Sequence, residues 1–290
     1  MTLPPLPTPS PAAAGPHAVA DAFDRWHLAR AGAPMIARLY AEAMGERYPD
    51  EVAANSSCDW PLLGLLVARL QLAPGQVLVD VGCGTGGVGL WLARALSARL
   101  VGIDLSAAAI EHASARAPEF VPADRATFHV AGMEASGLPH GYAQGVVCVD
   151  ALSFAADRTE ALRGLARVLA PGGRLLLTRA VRHDTAARLN ELAESAELVL
   201  EHVDERPDEP DTWERVFRLW IRHEDALARE VGESEARNMV ASARRRLPAL
   251  EGRRAVLLTL RRPAEAASAS SMTGPGRGDG GRGPDERNHT

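Results

Sequence analysis

From residue 72 onward, short apolar runs alternate with stretches in which apolar residues recur every three or four positions. The runs at 77–81, 99–104, 126–130, 145–149 and 174–179 have the aliphatic, β-branched character of strands buried on both faces. Between them, 90–96, 107–116 and 158–169 carry helical spacing, with Ser106 and Asp157 standing where N-caps belong. Such alternation predicts a mostly parallel sheet with helices on both faces. Beyond it come a helix at 185–195 and a strand at 197–203. A long amphipathic stretch then opens at Glu209-Pro210-Asp211 and runs through Trp213, Val216, Phe217, Trp220 and Ile221. A second such stretch covers 233–246, and only then does a last strand follow at 254–261. The segment 18–70 reads as mostly helical, notably 35–44 and 62–70, broken at Tyr48-Pro49-Asp50 and Asn55-Ser56-Ser57.

These patterns divide the chain. Residues 1–16, rich in proline and alanine, and 263–290, rich in glycine, serine and arginine, read as disordered ends. Residues 17–71 form an N-terminal helical lid, 72–182 a central core, and 183–262 the rest of that core. The last part contains a helical insertion at about 208–250, too long for a simple loop and expected to join the lid.

The most informative local sequence is Val77-Leu78-Val79-Asp80-Val81-Gly82-Cys83-Gly84-Thr85-Gly86-Gly87-Val88-Gly89, a strand that breaks into alternating glycines and resumes as a helix. Glycines there permit positive φ and a close ligand approach. The spacing satisfies a dinucleotide pattern twice over, and a NAD(P)-dependent oxidoreductase is one reading. Asp80 opposes it. A pyrophosphate would rest over this turn at the positive end of the helix, and a carboxylate closing the preceding strand would repel it. S-adenosylmethionine brings an ammonium, a carboxylate and a sulfonium instead. Asp80 suits the ammonium, and the loop amides around Gly82, Cys83, Gly84 and Gly86 suit the carboxylate. Asp104 closes the second strand about 20 residues past the glycines, where such folds hold a ribose, and Leu105 follows it.

At these residues the chain resembles the class I S-adenosylmethionine-dependent methyltransferases, in particular the small-molecule branch of ubiquinone and natural-product enzymes. The resemblance rests on Val79-Asp80-Val81-Gly82-Cys83-Gly84-Thr85-Gly86, on Val101-Gly102-Ile103-Asp104-Leu105-Ser106 and on Leu169-Ala170-Pro171-Gly172-Gly173-Arg174-Leu175-Leu176-Leu177. It implies a Rossmann-like α/β fold with seven strands, mostly parallel, the last antiparallel. It also implies methyl transfer to O, N or C of a small organic acceptor. The chain departs from the family at its third strand, where an acid usually meets the adenine amino group. Here Val130-Ala131-Gly132-Met133-Glu134 places Gly132 at the acid position, leaving Met133 to pack on adenine or Glu134 to substitute. The entry to the fourth strand, Ala143-Gln144-Gly145, departs too. Those changes keep open a methyltransferase-fold protein that catalyses a non-methylating reaction such as a cyclisation, or that serves as a scaffold.

Composition narrows the partners. With 290 residues, 46% of them hydrophobic and only 4% aromatic, the core must be aliphatic. All 32 basic residues are arginine, which removes lysine Schiff-base chemistry and the phosphate-gripping lysine. A net charge of −5 without a basic block argues against nucleic acid. Cys58, Cys83 and Cys148 lack zinc spacing and suggest a reducing compartment. No apolar run is long enough to span a bilayer and the start lacks a leader pattern, so a cytoplasmic protein with no membrane partner is expected. Nothing in the chain sets an oligomeric state.

Methyl transfer needs orientation more than acid–base groups, so the lack of an obvious dyad is expected. Asp150, at the carboxyl end of the fourth strand, is the first candidate to face acceptor or cofactor. His27 and His223, in the two lid segments, are candidate bases. Trp26, Trp60, Trp213 and Trp220 are expected to bury lid helices.

Overall fold

The computed structural model describes residues 16–182 and 186–264. The expected disordered ends fall outside the described residues, except for Pro16, Pro263 and Ala264. Helices α1 (Pro16–Arg30), α2 (Pro34–Met44) and α3 (Trp60–Leu70) lead into the sheet. In chain order there follow β1 (Val77–Val81), α4 (Gly87–Leu96), β2 (Arg99–Asp104), α5 (Ala107–Phe120), β3 (Ala126–Val130), β4 (Ala143–Cys148), α6 (Arg158–Val168), β5 (Leu169–Val181), α7 (Ala186–Glu194) and β6 (Val199–Glu205). The insertion is three helices, α8 (Glu209–Arg222), α9 (Glu224–Val231) and α10 (Glu233–Arg246), before β7 (Arg254–Arg261). Sequence periodicity missed α9, whose eight residues are too few to display a repeat.

The seven strands order as β3-β2-β1-β4-β5-β7-β6. β1 pairs in parallel with both β2 and β4, while β7 runs antiparallel to β5 and β6. The side-chain alternation of a strand splits each apolar run between two cores. Val79, Val81, Leu175, Leu177, Val256 and Leu258 face one, together with Leu162 and Leu165 of α6. Leu78, Leu100, Val147, Leu176 and Leu257 face the other, against Leu90 of α4. A third apolar cluster lies outside the sheet: Ile36, Leu39 and Tyr40 of α2 meet Trp213, Phe217 and Trp220 of α8 and Met239 of α10.

The expected N-terminal lid therefore divides. α2 joins the insertion helices, but α3 packs on the sheet through Leu62, Leu63, Leu66 and Leu70. Asp59 starts α3 by accepting the Leu62 N–H (2.9 Å), and Pro61 occupies its first turn. Trp60 also departs from expectation: it is 40% exposed and meets Trp91 edge-on. Among the described residues no helix is long and apolar enough to cross a membrane.

Candidate functional site

The strand order reverses between β1 and β4, and the crevice at their carboxyl ends is where such sheets hold ligands. A cavity of about 840 Å³ occupies it. Its floor is the turn from β1 to α4, its walls are the ends of β2, β4 and β5, and its roof is drawn from α1, α8 and the close of α10.

The floor is built by backbone. Gly82, Gly84 and Gly86 all sit at positive φ. The Gly82 and Cys83 amides both donate to the Ile103 carbonyl (2.8 and 3.0 Å), tying the turn to β2. A Cβ at Gly82 would come within 2.4 Å of the Ala151 Cβ, so this position demands glycine on two grounds.

Two acids flank the turn. Asp80 lines the cavity but is only 2% exposed, and its Oδ2 accepts the Gly89 N–H of α4 (3.0 Å). It thus anchors the helix first and faces the ligand space second. Burial pushes its carboxyl up to about 7, the Asp104 charge adding to the effect and the Gly89 amide opposing it. Asp104 accepts the Gly84 N–H through Oδ2 (2.9 Å) and the Ser106 N–H through Oδ1 (2.9 Å). Burial raises it too, against those amides. Among the described residues no basic side chain pairs with either acid. Leu105, Met133 and Glu134 line the same end. Gly132 does not: its neighbours Ala131 and Met133 do, and a Cβ there would lie 3.5 Å from Leu105 Cδ2. Glu134 is half-buried, and its Oε1 accepts the Ala156 N–H (2.9 Å). Cys83 is half-buried and its thiol is pushed well above the ordinary range by burial.

The roof comes from far away in sequence. Asp24 of α1 accepts from the Ser106 hydroxyl (2.6 Å) and the Ala108 N–H (3.1 Å), docking α1 on the first turn of α5. This places His27 over the glycines, where a methyl group at Gly84 would lie 3.5 Å from its Cε1. Burial and the Arg30 charge lower His27 to about 4, so the ring is neutral at ordinary pH. His223 does not reach the cavity. It marks the junction of α8 and α9, where its carbonyl accepts the Leu227 N–H (2.9 Å).

Asp150 lines the cavity at a positive φ of 54°, an unusual state for an aspartate. Its carboxylate is already engaged. Oδ2 accepts from the Ser57 N–H and hydroxyl (both 2.7 Å) and Oδ1 from the Thr178 hydroxyl (2.8 Å). Arg206 donates to the Ser57 hydroxyl (3.0 Å) and carbonyl (2.6 Å). Burial alone would raise the Asp150 carboxyl, but the Arg206 charge and these hydrogen bonds outweigh it and hold it below the usual value. The residue chosen from its strand end is a tether between β4, β5 and the loop before α3. Ser57, Thr178 and Arg206 were not foreseen, because their partners lie 28 to 149 positions away.

A glycine turn flanked by Asp80 and Asp104, under a helical roof at a topological switch, fits the class I S-adenosylmethionine-dependent methyltransferases, and over its core the chain is similar to proteins of that family. Residues 78–173 match the family model described as a methyltransferase domain. The chain is 31% identical to 27-O-demethylrifamycin SV methyltransferase of Amycolatopsis mediterranei (strain S699), over 59% of this chain and 58% of that protein. It is 33% identical to methyltransferase GfsG of Streptomyces halstedii, over 49% and 53%. The chain thus spans about half the length of the curated relatives it matches. The fold is similar to that of the [4+2]-cyclase SpnF, with a TM-score of 0.68 at 20% identity over 88% of this chain and 98% of that one. It is also similar to an S-adenosylmethionine-dependent methyltransferase from Geobacter sulfurreducens in complex with S-adenosyl-L-homocysteine (TM-score 0.58, 21% identity, 78% and 98% coverage).

Proposed function

We propose that the chain transfers a methyl group from S-adenosylmethionine to an oxygen, nitrogen or carbon of a small organic acceptor of specialised metabolism. The observation that carries this reading is the pair Asp80, buried, and Asp104, half-buried, two acids without a basic partner among the described residues beside a positive-φ glycine turn. That floor fits a cationic amino-acid nucleoside and repels a diphosphate. The name of the Amycolatopsis relative, a 27-O-demethylrifamycin SV methyltransferase, supports an acceptor of that general kind.

Bound there, the cofactor supplies a methyl group activated on a sulfonium. The chain's residues position and shield. Asp80 offers the oxygen not held by Gly89 to an ammonium, Asp104 offers its remaining lone pairs to the ribose hydroxyls, and Leu105 and Met133 supply apolar surface for the base. The helical roof excludes water. Orientation of this kind can supply about 7–11 kcal/mol of the barrier. Asp150 is assigned to holding the Ser57 loop, since its oxygens are committed. His27, neutral and without a side-chain hydrogen bond among the described residues, is the proton acceptor for acceptors that must lose a proton.

Calorimetry with S-adenosylhomocysteine and, separately, NADH tests the reading. Binding of the first alone is expected, and tight NADH binding without S-adenosylhomocysteine would overturn it. Transfer of a labelled methyl to hydroxylated metabolites then separates methylation from a non-methylating use of the fold.

The raised Asp80 carboxyl adds a pH signature. Below about 7 the ligand-free protein holds Asp80 protonated, so S-adenosylhomocysteine affinity should fall by about tenfold per pH unit there. Stability of the ligand-free protein runs the other way. The Asp80 contribution is complete below 3.8 and is lost as pH rises through about 7. Asp80→Asn keeps an acceptor for Gly89 and should flatten both dependences; an unaltered pair of pH profiles in that variant would refute the assignment.

A further inference from the structure

The roof of the cavity carries an arginine that no acid among the described residues pairs with. Arg246, the last residue of α10, lines the cavity with its guanidinium over the rings of Trp213 (5.3 Å) and Phe217 (4.9 Å). It makes no hydrogen bond and no ion pair among the described residues, and its Nε and Nη1 are buried without a partner. The neighbouring cations are matched. Arg206 is held by Ser57 against Asp150, with Asp59 at 4.0 Å. Arg253, whose side chain is 8% exposed, pairs through Nη2 with Glu209, which also accepts the Trp213 indole N–H (3.0 Å). Arg206 and Arg253 thus each have an acidic partner, and Arg246 has none among the described residues. Burial first and then the Arg253 charge lower it to about 10, while Tyr40, Asp150 and Glu209 act weakly in its favour. It therefore remains a cation at neutral pH.

An enclosed guanidinium without an anion is unfavourable, and aromatic faces compensate it only in part. Its planar fork matches a carboxylate. The two ends of the cavity are thus electrically opposite, with acids at the glycine turn and an unmatched arginine in the roof. Resting on the methyltransferase reading of the cavity, we propose that the acceptor is a small organic carboxylate whose anionic group is seated on Arg246, with the unpartnered Arg253 Nε beside it. The acid group fixes the acceptor at the roof and leaves the opposite end of the molecule to meet the methyl donor. It also makes neutral analogues of the same shape poor acceptors.

The test compares benzoate with benzamide as probes on the full chain saturated with S-adenosylhomocysteine, by calorimetry and thermal unfolding. Benzoate should bind about 10- to 100-fold more tightly than benzamide, as a charge-assisted pair implies. Arg246→Gln and Arg246→Met should abolish that preference and leave S-adenosylhomocysteine affinity within about twofold. Arg246→Met should also raise the unfolding temperature of the ligand-free protein, because it removes an uncompensated buried charge. No preference for benzoate at any millimolar concentration, or a preference surviving in Arg246→Gln, overturns the proposal. So does loss of S-adenosylhomocysteine binding in that variant, since Arg246 would then hold the cofactor's own carboxylate. Should the wild type fail to bind S-adenosylhomocysteine at all, the methyltransferase reading falls. The benzoate preference, measured on the ligand-free protein, still decides the anion seat.

Discussion

Replacing Asp104 by alanine is expected to weaken S-adenosylhomocysteine binding by about 10- to 1000-fold while the fold persists. The carboxylate ends β2 inside the cavity, and each of its oxygens spends one lone pair on a backbone amide, of Gly84 and of Ser106. Those amides preset its orientation, so the lone pairs left over are aimed before a ligand arrives. Two hydroxyl donors on one carboxylate make charge-assisted bonds worth about 1.5–3 kcal/mol each. Alanine also releases the Gly84 N–H, so part of the loss will come from a looser turn. Asp104→Asn separates the two contributions: it retains an acceptor for one amide and should fall between wild type and alanine. Calorimetry reads the affinity and circular dichroism the fold. An alanine variant that binds as tightly as wild type would take Asp104 out of the site.

Arg206→Ala should cost about 3–5 kcal/mol of stability, the range for breaking a buried ion pair by removing one partner. Arg206 is buried, and it satisfies both the hydroxyl and the carbonyl of Ser57. Without it Asp150 keeps its charge in an enclosed site and loses its counter-charge. The pH dependence has a defined sign. The Asp150 carboxyl is held below its ordinary 3.8, so its contribution is present above that value and is lost as pH falls through the folded-state value. The wild-type advantage over Arg206→Ala should therefore shrink in acid. Urea unfolding at neutral and acid pH measures both effects, and a double-mutant cycle with Asp150→Asn isolates the coupling. A loss under about 1 kcal/mol at neutral pH would show that the tether is incidental.

The parts of this protein that could be read from the sequence are those whose physics is local. Strands β3 and β7 and the caps at Ser106 and Asp157 follow from periodicity and hydrogen-bonding side chains a few positions away. The glycine turn and its two acids follow from a charge argument over a short stretch. What escaped is what the fold assembles from a distance. Asp150 stands at a strand end, and its sequence context does not reveal that Ser57 and Thr178 use its oxygens. His27 and His223 look alike in sequence, each within two positions of an arginine in a segment read as a lid. Only the docking of Asp24 on α5 puts the first over Gly84, and the second ends at a helix junction. Arg246 is one of three consecutive arginines closing α10, and nothing local marks it as the one turned onto Trp213. The division of the N-terminal helices between lid and sheet was equally hidden, since α2 and α3 are both apolar on one face.

The third apolar cluster draws on residues 33–48 and 213–250, which sandwich nearly the whole sheet between them in the chain. Arg215 reaches the Ala43 carbonyl across 172 positions. On a ribosome adding about 5–20 residues per second, the apolar face of α2 stays bare for about 10–35 s before its partner helices are made. The strand β7 arrives later still and must insert between β5 and β6, both already synthesised. Sheet closure and roof assembly are thereby postponed to the same final stretch of translation, and the nascent chain carries an unpartnered apolar helix face through the whole interval.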